Sequence, residues 1–142
     1  MSIDQKLKLK HSTLDSLGEL NKKYRSLNVH DRIEELYHDF DVSDIMLTSS
    51  FAATSAMLLK FFSDVNKDQL IYFIDTGYHF KETLIYKDYL TKLYDLNVLD
   101  VTAEEWKHTF TTEDKTWTKD PDLCCSINKV QPLESIKRQF TL

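Results

Sequence analysis

The 142-residue chain reads as an α/β protein: an open, mainly parallel sheet with helices on both faces, preceded by a helical N-terminal segment. Three observations predict this. Apolar runs of strand length recur at Ile45–Thr48, Gln69–Ile74 and Leu96–Val101. The stretches between them carry apolar residues at helical spacing. Glycine and proline number only 2 each, so turns are few. Strands alternating with helices make βαβ units and a parallel sheet, wound right-handed. The boundary falls near residue 40, with residues 1–40 as the helical segment and residues 41–142 as the α/β domain.

In order along the chain, Leu14, Leu17, Leu20, Tyr24 and Leu27 recur every three or four residues and predict a helix over 12–27, capped by Ser12 or Thr13. Val29, Ile33, Leu36, Tyr37 and Phe40 line a second helix, whose early Asp31, Glu34 and Glu35 suit the helix dipole. The first strand ends in Ser49-Ser50, and small residues lead into a helix over Ala56–Phe62 that is apolar throughout and so reads as buried. The second strand closes on Asp75-Thr76-Gly77. Phe80–Tyr94 reads as a helix and Leu96–Val101 as the third strand. Beyond it, Glu104–His108 allows one helical turn, and the polar run Thr109–Pro121 reads as a functional or mobile loop. The last segment reads as a short helix, a break, and another helix from Pro132.

Bulk properties exclude several classes. The net charge is −5, and an acidic chain without a basic stripe is poorly suited to nucleic acid. No apolar run approaches the roughly 20 residues of a membrane span, and the first residues lack the apolar core of a secretory signal. A reducing cytoplasmic compartment is the expectation, which two free thiols fit.

Those two cysteines, Cys124 and Cys125, are adjacent. Their Cα atoms lie about 3.8 Å apart across a trans peptide, below the roughly 4.4–6.8 Å of a relaxed disulfide. With Lys129 nearby, the pair suggests thiolates held for a cofactor or for redox work. Two semi-buried cysteines acting as small hydrophobes would look the same.

Two other segments carry chemistry. In Ser49–Ser55, small and hydroxylated residues let backbone approach a ligand, and the following helix turns its first N–H groups toward an anion. A plain strand-to-helix turn with a hydroxyl cap is the alternative. Asp75-Thr76-Gly77-Tyr78-His79-Phe80 lies at the carboxyl end of the second strand, where open α/β sheets bind ligands. Gly77 there suits a positive φ or a close approach. For His79 alone, a solvated or hydrogen-bonded ring is the expectation.

Taken together, Thr48-Ser49-Ser50-Phe51 with Ser55, Ile74–Phe80 with Glu82-Thr83, and Cys124-Cys125 with Lys129-Val130 and Pro132-Leu133 resemble the assimilatory adenylyl-sulfate and phosphoadenylyl-sulfate reductases. These belong to the PP-loop adenine nucleotide-binding superfamily, and the resemblance covers roughly residues 40–140. It implies a sulfonucleotide reductase carrying out thiol-dependent reduction of adenylyl sulfate, or 3'-phosphoadenylyl sulfate, to sulfite and AMP or its 3'-phosphate. The reductant would be of thioredoxin or glutathione type. By the same resemblance, Ser49, Ser50, Phe51 and Ser55 belong to the modified PP-loop that receives sulfate and phosphate. Asp75, Thr76, Gly77 and Phe80 belong to the adenosine segment. Cys124 and Cys125 are ligands of a 4Fe–4S cluster, and Lys129 is the catalytic lysine between cluster and substrate.

Three departures from the family pattern bear on this expectation. Ala52 replaces a glycine, restricting φ. Asn128 replaces an arginine, removing a fixed charge. A cubane cluster takes four thiolates, but the later Cys-x-x-Cys, an arginine-rich segment and the nucleophilic cysteine are not among the 142 residues. The expectation is therefore an N-terminal part of such an enzyme, inactive by itself, with a bare sheet edge through which copies could associate. The alternative from another class is a non-catalytic adenine-nucleotide-binding protein of the same fold. An RNA-modifying enzyme of the superfamily is opposed by the acidic charge, and a Cys/His metal site through His79 or His108 lacks separated-pair spacing.

Overall fold

The computed structural model describes residues 16–140, so the proposed Ser12 or Thr13 cap lies outside the described residues. The chain divides into two compact units after Leu36. In the first, residues 16–25 form helix α1 and most of α2 (Val29–Asp39) follows. Asn28 caps α2: its Oδ1 accepts the Asp31 N–H at 2.9 Å.

The second unit holds the sheet. Strands β1 (Leu47–Thr48), β2 (Leu70–Asp75) and β3 (Asn97–Thr102) lie in the order β1-β2-β3, all parallel. The register pairs Leu47 with Ile71, Leu70 with Asn97 and Asp75 with Thr102. The first strand is shorter than the apolar run suggests, because only its last two residues find partners on β2. Helix α3 (Ala56–Val65) joins β1 to β2, and α4 (Lys81–Tyr94) joins β2 to β3. These are the predicted βαβ crossovers.

Pleating sends alternate side chains of β2 to opposite faces, and both faces are covered, as a parallel sheet requires. Ile71 and Phe73 pack with Phe51, Leu59 of α3, Leu90 of α4 and Leu96. On the other face Tyr72 meets Phe140 edge-on at 5.6 Å. Phe73, fully buried, also receives the His79 ring at 4.8 Å and the Lys87 ammonium at 4.6 Å.

Three local expectations need correction. Helix α3 is not buried throughout: Leu59 and Ser63 face inward, while Met57 and Leu58 face solvent. Apolar composition cannot say which stripe of a helix finds a partner. The run Thr109–Pro121 is not a loop but mostly helix, α5 (Glu105–Glu113) and α6 (Thr116–Lys119), turned at Lys115 with φ 52. Its threonines are helix-compatible because their hydroxyls bond locally, Thr111 and Thr112 both donating to the His108 carbonyl. Nor does the chain break after the cysteines. Helix α7 (Pro121–Cys125) runs through a π-helical stretch, Ser126–Val130, into α8 (Gln131–Lys137). Pro132 cannot donate to the carbonyl four residues back, and a wider turn absorbs the missing bond.

No helix among the described residues is long and apolar enough to cross a membrane.

Candidate functional site

Because β1, β2 and β3 are parallel neighbours, the turns after them emerge on one edge of the sheet, where ligands of such sheets bind. After β1, Ser49 N–H extends the ladder to the Tyr72 carbonyl at 3.1 Å. Ser49 Oγ accepts the Phe51 N–H at 3.0 Å, closing a turn that holds Phe51 at φ 53. Ala52 sits at φ −63 and ψ 154, extended backbone open to any residue. The replaced glycine therefore costs no strain here, and the left-handed residue is Phe51. Ser50 is exposed and Ser55 half-buried, ending a 3-10 turn (Ala53–Ser55) that enters α3.

After β2, Asp75 Oδ1 accepts the Gly77 N–H at 2.9 Å and Thr76 Oγ1 accepts the Tyr78 N–H at 3.3 Å. These turns, of the kind Asp and Thr side chains favour, carry Gly77 at φ 75. His79 Nε2 lies 3.0 Å from the Ile74 carbonyl and so donates to it, tying the loop back to its strand. That is the hydrogen-bonded role expected of it. Phe80 leads into α4 with 79% of its surface exposed.

The cysteine helix begins at Asp120, whose Oδ1 caps Leu123 N–H at 3.0 Å. Cys124 is buried and Cys125 exposed, both as free thiols. They line one cavity of about 370 Å³ with Thr76, Tyr78, Trp117, Asn128 and Lys129. The structure thus brings Thr76, both cysteines and Lys129 together. Asp75 and Gly77 line a neighbouring cavity of about 270 Å³ with Thr102, Ala103 and His108. Ser49, Ser50, Phe51, Ser55 and Phe80 line neither of these two cavities.

Sequence reasoning missed the wall between the two cavities. Asn128, 2% exposed, donates through Nδ2 to Thr111 Oγ1 at 3.0 Å and to the Cys124 carbonyl at 3.1 Å, with Cys124 Sγ at 3.7 Å. Its Oδ1 is 3.0 Å from His108 Nδ1. Tyr78 completes the wall. Its hydroxyl lies 2.9 Å from Thr111 Oγ1 and 3.0 Å from Thr112 Oγ1, and its ring lies between His108 and Trp117. In sequence Asn128 stands out as the residue that replaces an arginine before the lysine, not as a hydrogen-bonding hub. Its partners lie 17 and 20 positions earlier, which no local pattern shows.

As a metal site, the two thiols open onto a shared space and fit half of a cubane's ligand set. Neither His79 nor His108 joins the cysteines in a metal-binding group. Among the described residues such groups lie on α2, the exposed His30, Asp31 and Glu34 being one.

The phosphoadenosine phosphosulfate reductase domain model matches residues 44–141. Curated relatives include the adenosine 5'-phosphosulfate reductase of Mesorhizobium japonicum, 36% identical over 102 residues, covering 70% of this chain and 38% of that protein. That of a Chelativorans species is 36% identical over 118 residues, covering 81% and 48%. That of Staphylococcus epidermidis is 28% identical over 125 residues, covering 84% and 50%. The chain therefore spans about half the length, or less, of these relatives. The crystal structure of the phosphoadenylyl-sulfate reductase from Candida auris, a phosphate complex, shares the fold with a TM-score of 0.64. It is 23% identical, with 86% of this chain and 61% of that one covered. A parallel βαβαβ sheet with a cysteine pair facing the loop after its second strand, matched by this family model over residues 44–141, makes the chain a member of the phosphoadenosine phosphosulfate reductase domain family.

Proposed function

We propose that the chain forms the nucleotide-binding part of a sulfonucleotide reductase of assimilatory sulfate reduction. Its substrate would be adenylyl sulfate or 3'-phosphoadenylyl sulfate. The observation that carries this reading is the cavity shared by Thr76, Cys124, Cys125 and Lys129, where the loop after β2 meets the thiols.

In this reading Asp75, Thr76 and Gly77 receive the adenosine, with Phe80 at the loop's end. Ser49, Ser50, Phe51 and Ser55 supply the turn for the sulfate and phosphate. The Lys129 ammonium balances charge as the sulfo group passes to the thiolate and the nucleotide phosphate departs. The reaction is two displacements: a cysteine thiolate attacks the sulfate sulfur, forming an S–S bond and expelling AMP or its 3'-phosphate. A second thiol, from a thioredoxin- or glutathione-type reductant, then attacks the cysteine sulfur. That step releases sulfite and leaves a disulfide, so two thiols are oxidised and one sulfur is reduced. Covalent catalysis of this kind divides one hard step into two easier ones. Cys124 and Cys125 would supply two of the four thiolate ligands of a 4Fe–4S cluster, which when bound would add a charge centre to the site. The reducing conditions such thiols need point to the cytoplasm. Association of copies through an edge of the sheet, where Leu99 on β3 is exposed, belongs to the same proposal, and light scattering at high concentration tests it.

The test is calorimetric titration with adenylyl sulfate and with AMP. Binding of both, weakened about tenfold or more by Asp75→Ala and by Lys129→Ala, is the expected result. Absence of binding to either would remove the reading. The second reading, a non-catalytic adenine-nucleotide-binding protein, is favoured by Asn128, which puts a neutral, fully engaged amide beside the cysteines instead of a fixed charge. It predicts the same affinities, with no sulfite released by the full-length protein when a dithiol is added.

A further inference from the structure

Gly77 and Cys124 line different cavities, yet one side-chain path connects them. An ideal Cβ built on Gly77 would lie 2.4 Å from His108 Cε1 and 2.7 Å from its Nε2, so the imidazole occupies the space a side chain would need. Its Nδ1, 3.2 Å from that same Cβ, is fixed. Asn128 donates through Nδ2 to Thr111 and to the Cys124 carbonyl, so its Oδ1 is an acceptor and His108 Nδ1–H must be the donor, at 3.0 Å. Asn128 Nδ2 is also within 3.7 Å of Cys124 Sγ. Buried amides with every position engaged are stiff, since each displacement breaks a bond that water cannot replace.

We propose that His108 and Asn128 act as one positioning unit that couples the Asp75–Gly77 loop to the Cys124 thiol. The ring rests against the loop through Cε1 and Nε2 and is held by the amide through the adjacent Nδ1. Whatever moves Gly77 therefore moves the imidazole, then Asn128, and then the backbone and sulfur of Cys124. Neither residue touches the reacting atoms in this role. They set where a buried sulfur sits relative to a loop on another element. The use of the coupling in catalysis rests on the function proposed above, whereas its existence can be tested without any nucleotide.

The test uses the full chain, treated with chelator, and follows iodoacetamide alkylation of Cys124 and Cys125 separately by peptide mass spectrometry. Exposed Cys125 is the internal control, and thermal melts confirm folding. Gly77→Ala pushes a methyl into the ring. It is expected to raise the Cys124 rate about tenfold, the size of coupling seen between contacting residues, with little change at Cys125. In a His108→Ala background the same Gly77→Ala change should leave Cys124 where His108→Ala put it. An equal effect of Gly77→Ala in both backgrounds, or none with His108 present, would overturn the proposal.

A second comparison holds if Gly77→Ala does not fold. His108→Asn keeps an N–H donor near the Nδ1 position, and His108→Ala does not. Cys124 should be protected in His108→Asn as in the unmodified chain and exposed in His108→Ala. Equal exposure in the two would make His108 a packing residue only, and the coupling would fall.

Discussion

Ser49 Oγ accepts the Phe51 N–H at 3.0 Å, and the turn this closes holds Phe51 at φ 53 with its ring only 1% exposed. A bulky residue in the left-handed region is unusual, at about 1–2 kcal/mol. Burying the phenyl ring returns about 1.5–3 kcal/mol, and it meets Phe73 edge-on at 5.7 Å. Core burial therefore sustains the bend that presents Ser50 and Ala52 at the sheet edge. Ser49→Ala should lower stability by about 1 kcal/mol, and Phe51→Ala by about 3–5 kcal/mol. Urea denaturation checks both, and a Ser49→Ala chain as stable as the parent would contradict this account of the turn.

Lys87 on α4 places its ammonium 2.8 Å from both Asp100 carboxylate oxygens on β3 and over the buried Phe73 ring. The lysine side chain is 11% exposed and the aspartate 47%, so the two partners are not equivalent. Removing Asp100 strands a largely buried cation, while removing Lys87 leaves a carboxylate that water can reach. Asp100→Ala should therefore cost more than Lys87→Met, by about 1 kcal/mol or more. Equal losses in chemical denaturation would mean the pair behaves as an ordinary surface ion pair.

Acid should loosen α5 and α6. Hydrogen bonds from Lys119 and then Thr116 hold the Asp114 carboxyl below its ordinary 3.8. Those from Lys107 and then Trp106 hold Glu104 below its ordinary 4.5. A carboxyl lowered on folding adds stability that is complete above its unfolded value and disappears as pH falls through the folded one. Melting temperature should be flat from pH about 5 to about 9 and decline below that range. Asp114→Asn should flatten part of the decline, and an unchanged pH profile in that variant would count against the assignment.

Base should act elsewhere. Burial pushes the Tyr37 phenol well above its ordinary 10.0, and its hydroxyl donates to Gln69 Oε1 at 2.6 Å. Because the folded value is the higher one, stability is intact below pH about 10 and falls as pH rises past it. Tyr37→Phe should lose that alkaline slope. Gln69→Leu should do more damage at neutral pH, about 1–3 kcal/mol, since it strands the Tyr37 hydroxyl and the Ile45 carbonyl that Gln69 Nε2 serves at 3.2 Å. Melts from pH 7 upward separate the two effects, and an alkaline slope that persists in Tyr37→Phe would place its origin in another group.

Much of the fold was legible because its signals are local. Apolar runs at Gln69–Ile74 and Leu96–Val101 and the helical spacing before and between them recur as β2, β3, α2 and α4. The errors share a cause. The polar stretch after Thr109 reads as loop by composition, yet Thr111 and Thr116 are buried with their hydroxyls bonded. Helix α3 reads as buried by composition, yet neighbours cover one stripe of it. Whether a polar group is satisfied, or an apolar one covered, depends on residues distant in sequence.

The site divides along the same line. The sequence by itself determined the residue types of three segments: the serines after β1, Asp75-Thr76-Gly77 after β2, and the cysteines with Lys129. It also determined the parallel order that puts those turns on one edge. Only the tertiary structure decided that Thr76, both thiols and Lys129 share a cavity, and that strain sits at Phe51 and not Ala52. It alone made Asn128 a buried hub joining His108 to Cys124. The physical reason is range: strand and turn preferences act over a few residues, whereas a buried amide takes its partners from whatever the packed chain brings within about 3 Å.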